Sequence, residues 1–246
     1  MAELNEAVAF VTGGSRGIGR AICTRLAGEG ADVAFTYVSA GDLAAKVVAE
    51  IEELGRRAWA IRADSADAEA LRAAVNETVA RFGRLDVLVN SAGVFPYGPF
   101  EQVGLDELDR VMAIHARAAF VATQAASPHL REGGRVISIG SNLGERVPHG
   151  GTTLYSMSKA ALVGLTKGLA RELGPRGITA NLVQPGSTDT DMNPADGPGA
   201  ESQRALIPRE RFGSVDDVAA MVVHLAGPAG RFVNGASILV DGGANA

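Results

Sequence analysis

The chain has 246 residues, 46% of them hydrophobic and 21% charged, enough apolar material for one globular domain with a large core. Its 23 Lys and Arg are outweighed by 28 Asp and Glu, a net charge of -5 that argues against a broad basic face for nucleic acid or anionic lipid. A single cysteine, Cys23, leaves no internal disulfide, no apolar run reaches the roughly 20 residues of a membrane span, and the acidic opening at 1–6 lacks a secretory pattern, so a cytoplasmic location is expected.

Short β-rich runs recur at 7–11, 32–38, 58–62, 85–90, 136–140, 179–183 and 237–240. Stretches with helical spacing lie between them at 17–29, 42–54, 67–82, 106–130, 155–173 and 216–225. This alternation predicts an α/β fold, a doubly wound seven-stranded parallel sheet with helices on both faces, because parallel strands need crossover connections. Val87-Leu-Val89 and Val136-Ile137, apolar on both faces, suit strands covered on both sides. No low-complexity linker or fixed-period repeat divides the chain, so a single domain over 1–246 is expected. The one long connection, 185–211, holds Pro185, Pro194, Pro198 and Pro208 with Gly186, Gly197 and Gly199. It is either a lid or a disordered loop, and its place after the carboxyl end of a strand favours a lid at about 186–211.

The first strand runs into Thr12-Gly-Gly-Ser-Arg-Gly-Ile-Gly19 and then into a helix. Gly13 suits the tight exit turn, while Gly17 and Gly19 let the helix start approach a pyrophosphate, with Ser15 and Ile18 in the same turn. The second strand ends Phe35-Thr-Tyr-Val-Ser39 with no carboxylate before Asp42, which sits at a helix start where capping explains it. An acid at this strand end would favour NAD, whereas Arg16 and Ser39 suit a 2′-phosphate and hence NADP. Asp64 and Ser65 end the third strand, placed for an adenine amino group, although Ser65 equally suits a helix cap. Asn90-Ser-Ala92-Gly93 ends the fourth with small residues where a ribose can lie close; Asn90 alternatively ties neighbouring segments together.

Tyr155-Ser-Met-Ser-Lys159 places a phenol and an ammonium on one helix face. Ketone reduction needs a proton donor beside the hydride, and a neighbouring ammonium favours the phenolate of tyrosine. Ser141, just past the fifth strand, is placed to hydrogen-bond a carbonyl; Ser138 lies within that strand and suits packing.

Taken together, Thr12-Gly-Gly-Ser-Arg-Gly-Ile-Gly19, Asn90-Ser-Ala-Gly93, Ser141, Tyr155-Ser-Met-Ser-Lys159, Pro185-Gly186 and Asp241-Gly-Gly243 resemble the classical short-chain dehydrogenase/reductase family, closest to its 3-oxoacyl-acyl-carrier-protein reductase branch. The resemblance spans essentially the whole chain. It implies Tyr155 as general acid/base, Lys159 on the nicotinamide ribose and lowering the tyrosine pKa, and Ser141 orienting the carbonyl. It also implies that Pro185, Gly186, Thr188 and Thr190 line the nicotinamide end of an NADP(H) site. The family usually carries an asparagine that holds a relay water where Ala113-Ile114 is followed here by His115. Placed in the catalytic set, His115 either replaces the asparagine, holding that water through one ring nitrogen and a backbone carbonyl through the other, or weakens the relay, or only packs.

The implied substrate pocket adds Phe95, Tyr97, Asn142, Leu143, His149 and Met192, a lining for a small-molecule or thioester carbonyl. Arg204, Arg209 and Arg211 either greet an acidic carrier protein or form a solvated face. Small residues along 106–130 and 155–173 match family interfaces that give a homotetramer. Against an NADPH-dependent carbonyl reductase stand an NAD-dependent alcohol dehydrogenase and a catalytically weakened dinucleotide-sensing or scaffold subunit.

Overall fold

In the computed structural model, which describes residues 4–246, seven strands form one sheet; residues 1–3 of the acidic opening lie outside the described residues. The strands are β1 (Val8–Val11), β2 (Asp32–Tyr37), β3 (Ala58–Arg62), β4 (Val87–Asn90), β5 (Arg135–Ile139), β6 (Thr179–Pro185) and β7 (Ser237–Val240). Every pairing is parallel, in the order β3-β2-β1-β4-β5-β6-β7. The chain therefore grows outward from β1 on one side as far as β3, then returns to lay β4 against the other side of β1. That reversal opens a crevice above the carboxyl ends of β1 and β4, the usual ligand position in such sheets.

Side chains alternate across β1. Val8 and Phe10 enter a core with Leu88, Val136, Leu71 and Val75; Ala9 and Val11 enter another with Ile22, Leu26, Val47 and Val222. The first layer is covered by α3 (Ala68–Phe82) and α5 (Ala118–Ala126), the second by α1 (Gly17–Gly28), α2 (Gly41–Glu53) and α8 (Val215–Ala226). Burial on both faces is why the central strands read as unbroken apolar runs. Asp67 caps α3 by accepting the N–H groups of Glu69 and Ala70, both at 3.0 Å, and Gly83 ends it in the left-handed region at φ 82.

The helix expected over 106–130 is instead composite. It runs as α4 (Leu105–Met112), a π-helical turn (Ala113–Arg117) and α5, and stops at Ala126. Pro128 lacks the N–H that would continue it. The catalytic-motif helix α6 (Thr153–Leu173) starts two residues before Tyr155. Within the Pro- and Gly-rich connection a short helix, α7 (Ala200–Arg204), forms. Ala200, Ile207 and Phe212 build a small core there with Ala244, so this segment is anchored to the C-terminal stretch rather than loose.

Candidate active site

A cleft of about 1190 Å³ lies over the carboxyl ends of the central strands. At one end is the glycine turn. Gly13 adopts φ +71, donates its N–H to Thr36 Oγ1 at 3.0 Å, and lies so close to the β4 loop that a Cβ would stand 2.9 Å from Ala92 Cα. A Cβ on Gly19 would stand 2.2 Å from the Gly13 carbonyl oxygen. Gly17, at φ +53, opens α1. No side chain caps that helix and its first turn holds no acid, so its free N–H groups and positive dipole end are left to a ligand. The cradle has the shape and free donors to fit a pyrophosphate, and Ser15 and Ile18 line the cleft beside it. Gly14, passed over in the sequence reading, is needed as well: a Cβ there would meet Phe35 at 2.6 Å and the buried Cys23 Sγ at 2.8 Å.

Arg16 and Ser39 line the rim and are exposed, while Asp42 lies in the first turn of α2 outside the lining, in keeping with a dipole role. Asp64 lines the cleft, accepts the Ala66 N–H at 2.9 Å and stands 3.6 Å from Arg110, a cleft residue the sequence did not single out. Ser65 is buried in the lining, and with Asp67 capping α3 it is free of that duty. Asn90 is a correction. Its amide donates to Ser138 Oγ at 3.3 Å and reaches Thr123 Oγ1 at 3.5 Å, tying β4 to β5 and α5 inside the fold rather than lining the cleft. Ala92 and Gly93 do line it, on a loop held by Thr12 Oγ1, which accepts the N–H groups of Ser91 and Ala92 at 2.9 and 3.0 Å.

At the other end Ser141, Tyr155 and Lys159 converge. Ser141 is buried just past β5, where its hydroxyl accepts the Leu143 N–H at 3.2 Å, and it lines the cleft with Tyr155, which sits in the first turn of α6. Lys159, one turn on and buried, donates to the Ile139 carbonyl at 3.0 Å, with Nζ 5.8 Å from the Tyr155 ring centre. Burial lowers the lysine pKa to about 8. The expected depression of the tyrosine pKa is not what this arrangement gives: burial raises it, and the Ser141 hydroxyl opposes the rise.

His115 occupies the π-helical turn and is 3% exposed. Its Nε2 accepts the Val94 N–H at 3.0 Å, and Nδ1 lies 2.8 Å from Ser158 Oγ. Ser158 spends its own proton on the Tyr155 carbonyl at 2.7 Å, so Nδ1 carries the ring hydrogen. The expected pairing of one nitrogen with a water and the other with a backbone carbonyl is therefore overturned, since protein groups take both. Burial first, and the Lys159 charge second, push the ring down to about 3.

Pro185, Gly186, Thr188 and Thr190 all line the cleft. Thr188 Oγ1 donates to the Gly186 carbonyl at 3.0 Å, and Thr190 is the nearest side chain above Gly17. Of the expected pocket, Phe95, Tyr97, Asn142, Leu143, His149 and Met192 are all present; Phe95 packs edge-on to Tyr155, with ring centres 4.7 Å apart. Arg146 and Asn245, absent from the sequence reading, close the far wall. Asn245 exchanges hydrogen bonds with Asn142 at 2.9 and 3.2 Å, and Arg146 donates to the Ala244 carbonyl. Arg204 pairs with Glu201 at 2.6 Å and Arg211 lies 3.5 Å from Asp217, both committed within the chain. Among the described residues there is no metal-binding cluster and no helix long and apolar enough to cross a membrane.

Residues 13–245 match the family described as enoyl-(acyl carrier protein) reductase. The cyclic-di-GMP-binding biofilm dispersal mediator protein of Escherichia coli K12 is 44% identical over 233 residues, covering 95% of this chain and 94% of that protein. The 3-oxoacyl-acyl-carrier-protein reductase of Staphylococcus aureus N315 is 40% identical over 238 residues, 96% of each chain. A crystal structure of a short chain dehydrogenase from Burkholderia cenocepacia J2315 in complex with NADP is 56% identical and superposes with a TM-score of 0.98, covering 99% of this chain and 100% of that one. With likeness of this extent running through the cradle and the Ser141, Tyr155 and Lys159 set, the chain belongs to the classical short-chain dehydrogenase/reductase family of oxidoreductases.

Proposed function

We propose that this protein is an NADPH-dependent reductase of apolar, medium-sized ketones or aldehydes. The observation that carries this reading is the convergence of Ser141, Tyr155 and Lys159 at one end of a cleft whose other end is a glycine cradle. NADP(H) is the cofactor: relatives are crystallised with NADP or NADPH, and here no carboxylate ends β2 while Arg16 and Ser39 stand at the rim.

Bound NADPH supplies the hydride that goes to the carbonyl carbon. Ser141 holds the carbonyl oxygen, and Tyr155 gives that oxygen its phenolic proton as charge develops there. Because burial raises its pKa, the phenol is protonated and ready to donate at neutral pH. Lys159, with a pKa of about 8, is mostly an ammonium at pH 7 and stabilises the phenolate left behind. Phe95, Tyr97, Leu143, Met192 and Leu206 make the pocket apolar, and segment 186–211 acts as its lid.

The test is NADPH consumption against a panel of ketones and aldehydes that includes a 3-oxoacyl thioester. Turnover with NADPH should exceed that with NADH, and Arg16→Ala should reduce the preference by about 10-fold, the worth of one charge-assisted contact. An NADH preference makes the protein an alcohol dehydrogenase of the other cofactor class. Absence of turnover across the panel leaves ligand sensing, a role in line with the name of the Escherichia coli relative.

The protein also assembles as a homotetramer in this reading. Phe120 and Met157 are about half exposed on α5 and α6, and Phe232, before β7, is 97% exposed. Apolar groups left outward on these elements suit subunit contacts. Light scattering should return four times the chain mass, and a monomer at micromolar concentration refutes the assembly.

A further inference from the structure

His115 reaches three parts of the site at once. Its own place is the π-helical turn between α4 and α5. Nε2 takes the Val94 N–H, in the loop that follows β4 and carries Gly93 and Phe95 into the cleft. Nδ1–H reaches Ser158 Oγ, which passes a hydrogen bond on to the Tyr155 carbonyl. The result is one continuous chain from the Val94 amide through imidazole and hydroxyl to the backbone of the tyrosine. It has a single direction, because Nε2 can accept only when Nδ1 carries the hydrogen.

Packing reinforces the connection. The His115 and Tyr155 rings meet edge-on with centres 5.7 Å apart, and Phe95 also packs edge-on to Tyr155. Gly93 sits close against the same groups, since a Cβ there would lie 3.3 Å from His115 Nε2 and 3.4 Å from Lys159 Nζ. Both Ser158 and His115 are buried, with Ser158 fully so.

We propose that His115 is a positioning residue: with Ser158 it forms a protein-only latch, fixed as the Nδ1–H tautomer, that sets the distance between the Gly93–Phe95 loop and Tyr155. The latch acts on proton transfer only through where it holds that tyrosine, and His115 itself neither stores nor passes a proton. The titratable groups facing the ring are Tyr155 and Lys159 of α6; Arg117, on its own turn, points away to the Ala66 carbonyl at 2.6 Å. The kinetic part of this inference rests on the reductase reading, whereas the latch itself does not.

Two substitutions separate the halves of the latch. The amide of Asn stands near the place of Nδ1 and can still meet Ser158, but it cannot reach Val94. The amide oxygen of Gln stands near Nε2 and can still accept from Val94. The experiment uses the full chain with ¹⁵N-labelled histidine, amide exchange at Val94, and steady-state kinetics of His115→Asn, His115→Gln and Ser158→Ala. The expected wild-type ring is a single Nδ1–H tautomer with no titration between about pH 5 and 9, set against an ordinary pKa of about 6.5. Val94 exchange should quicken by about 10-fold or more in His115→Asn, as expected when a buried donor loses its partner, and stay near wild type in His115→Gln. For kcat, His115→Asn should lose about 10-fold through misplacement of Tyr155, His115→Gln should recover most of it, and Ser158→Ala should fall between them.

A ring that titrates within that range, an Nε2–H tautomer, or Val94 exchange indifferent to His115→Asn overturns the latch. So does an equal kcat loss in the Asn and Gln variants, the pattern of a purely structural role. If the panel yields no substrate, the tautomer and exchange measurements still decide the latch while the reductase reading fails by itself.

Discussion

Tyr155→Phe should lower kcat by about 10²–10⁴-fold, the range for losing a positioned general acid, while NADPH affinity and thermal stability stay near wild type. The change removes only the phenolic O–H. The ring remains, with its edge-on contacts to Phe95 and His115 at 4.7 and 5.7 Å, so the pocket wall and α6 keep their packing. Ser141 keeps the bond it accepts from the Leu143 N–H at 3.2 Å. Stopped-flow absorbance of NADPH under single turnover separates the chemical step from binding. Retention of most of the wild-type hydride-transfer rate would remove Tyr155 as the acid.

Gly19→Ala is the change expected to damage cofactor binding most. The added methyl would sit 2.2 Å from the Gly13 carbonyl oxygen and 3.2 Å from Gly14 Cα, both backbone atoms of the turn itself. No side-chain rotation relieves that clash, so the turn and the start of α1 must separate, and overpacking of this kind costs about 1–3 kcal/mol. The N–H groups aimed at the pyrophosphate move with them. NADPH affinity, read by fluorescence titration, should fall by at least about 10-fold, with a lower Tm as well. Gly28→Ala is the control: it lies at the end of the same helix, where a Cβ meets nothing within 4 Å, and should leave affinity unchanged. Equal affinities in Gly19→Ala and wild type would contradict the cradle.

What the sequence revealed follows from which features are local. β3 has the bounds expected from its β-rich run, and the strands in general carry their signal in consecutive residues. The glycine turn, Ser141, Tyr155 and Lys159 were legible for the same reason, each fixed by its place at the end of a strand or the start of a helix. The π-helical turn was not, because Ala113, Ile114, Ala118 and Ala119 are buried in a pattern that apolar spacing reads as ordinary helix. Asn90 was assigned to the cleft by position, yet its partners Ser138 and Thr123 lie 48 and 33 residues away and decide its orientation. The Asn142 and Asn245 exchange spans 103 residues and has no local trace. Gly14 had a signal, a second glycine straight after β1, but its reason is tertiary: the Phe35 ring and Cys23 beneath it.

The Thr12 hydroxyl joins residues 79 and 80 positions apart, and β1 pairs with β4 across a comparable gap, Ala9 with Val87. Between these partners lie α1, β2, α2, β3 and α3, all of which must be accommodated before the loop can close. Parallel pairings of such separation form slowly, and a chain emerging from the ribosome at about 5–20 residues per second has no β4 to offer while its glycine turn is already exposed. The phosphate cradle is thus a late product of folding. Since a ligand stabilises only the state that binds it, NADPH favours the closed sheet over its open precursors by mass action, and the unfolding temperature should rise with added NADPH.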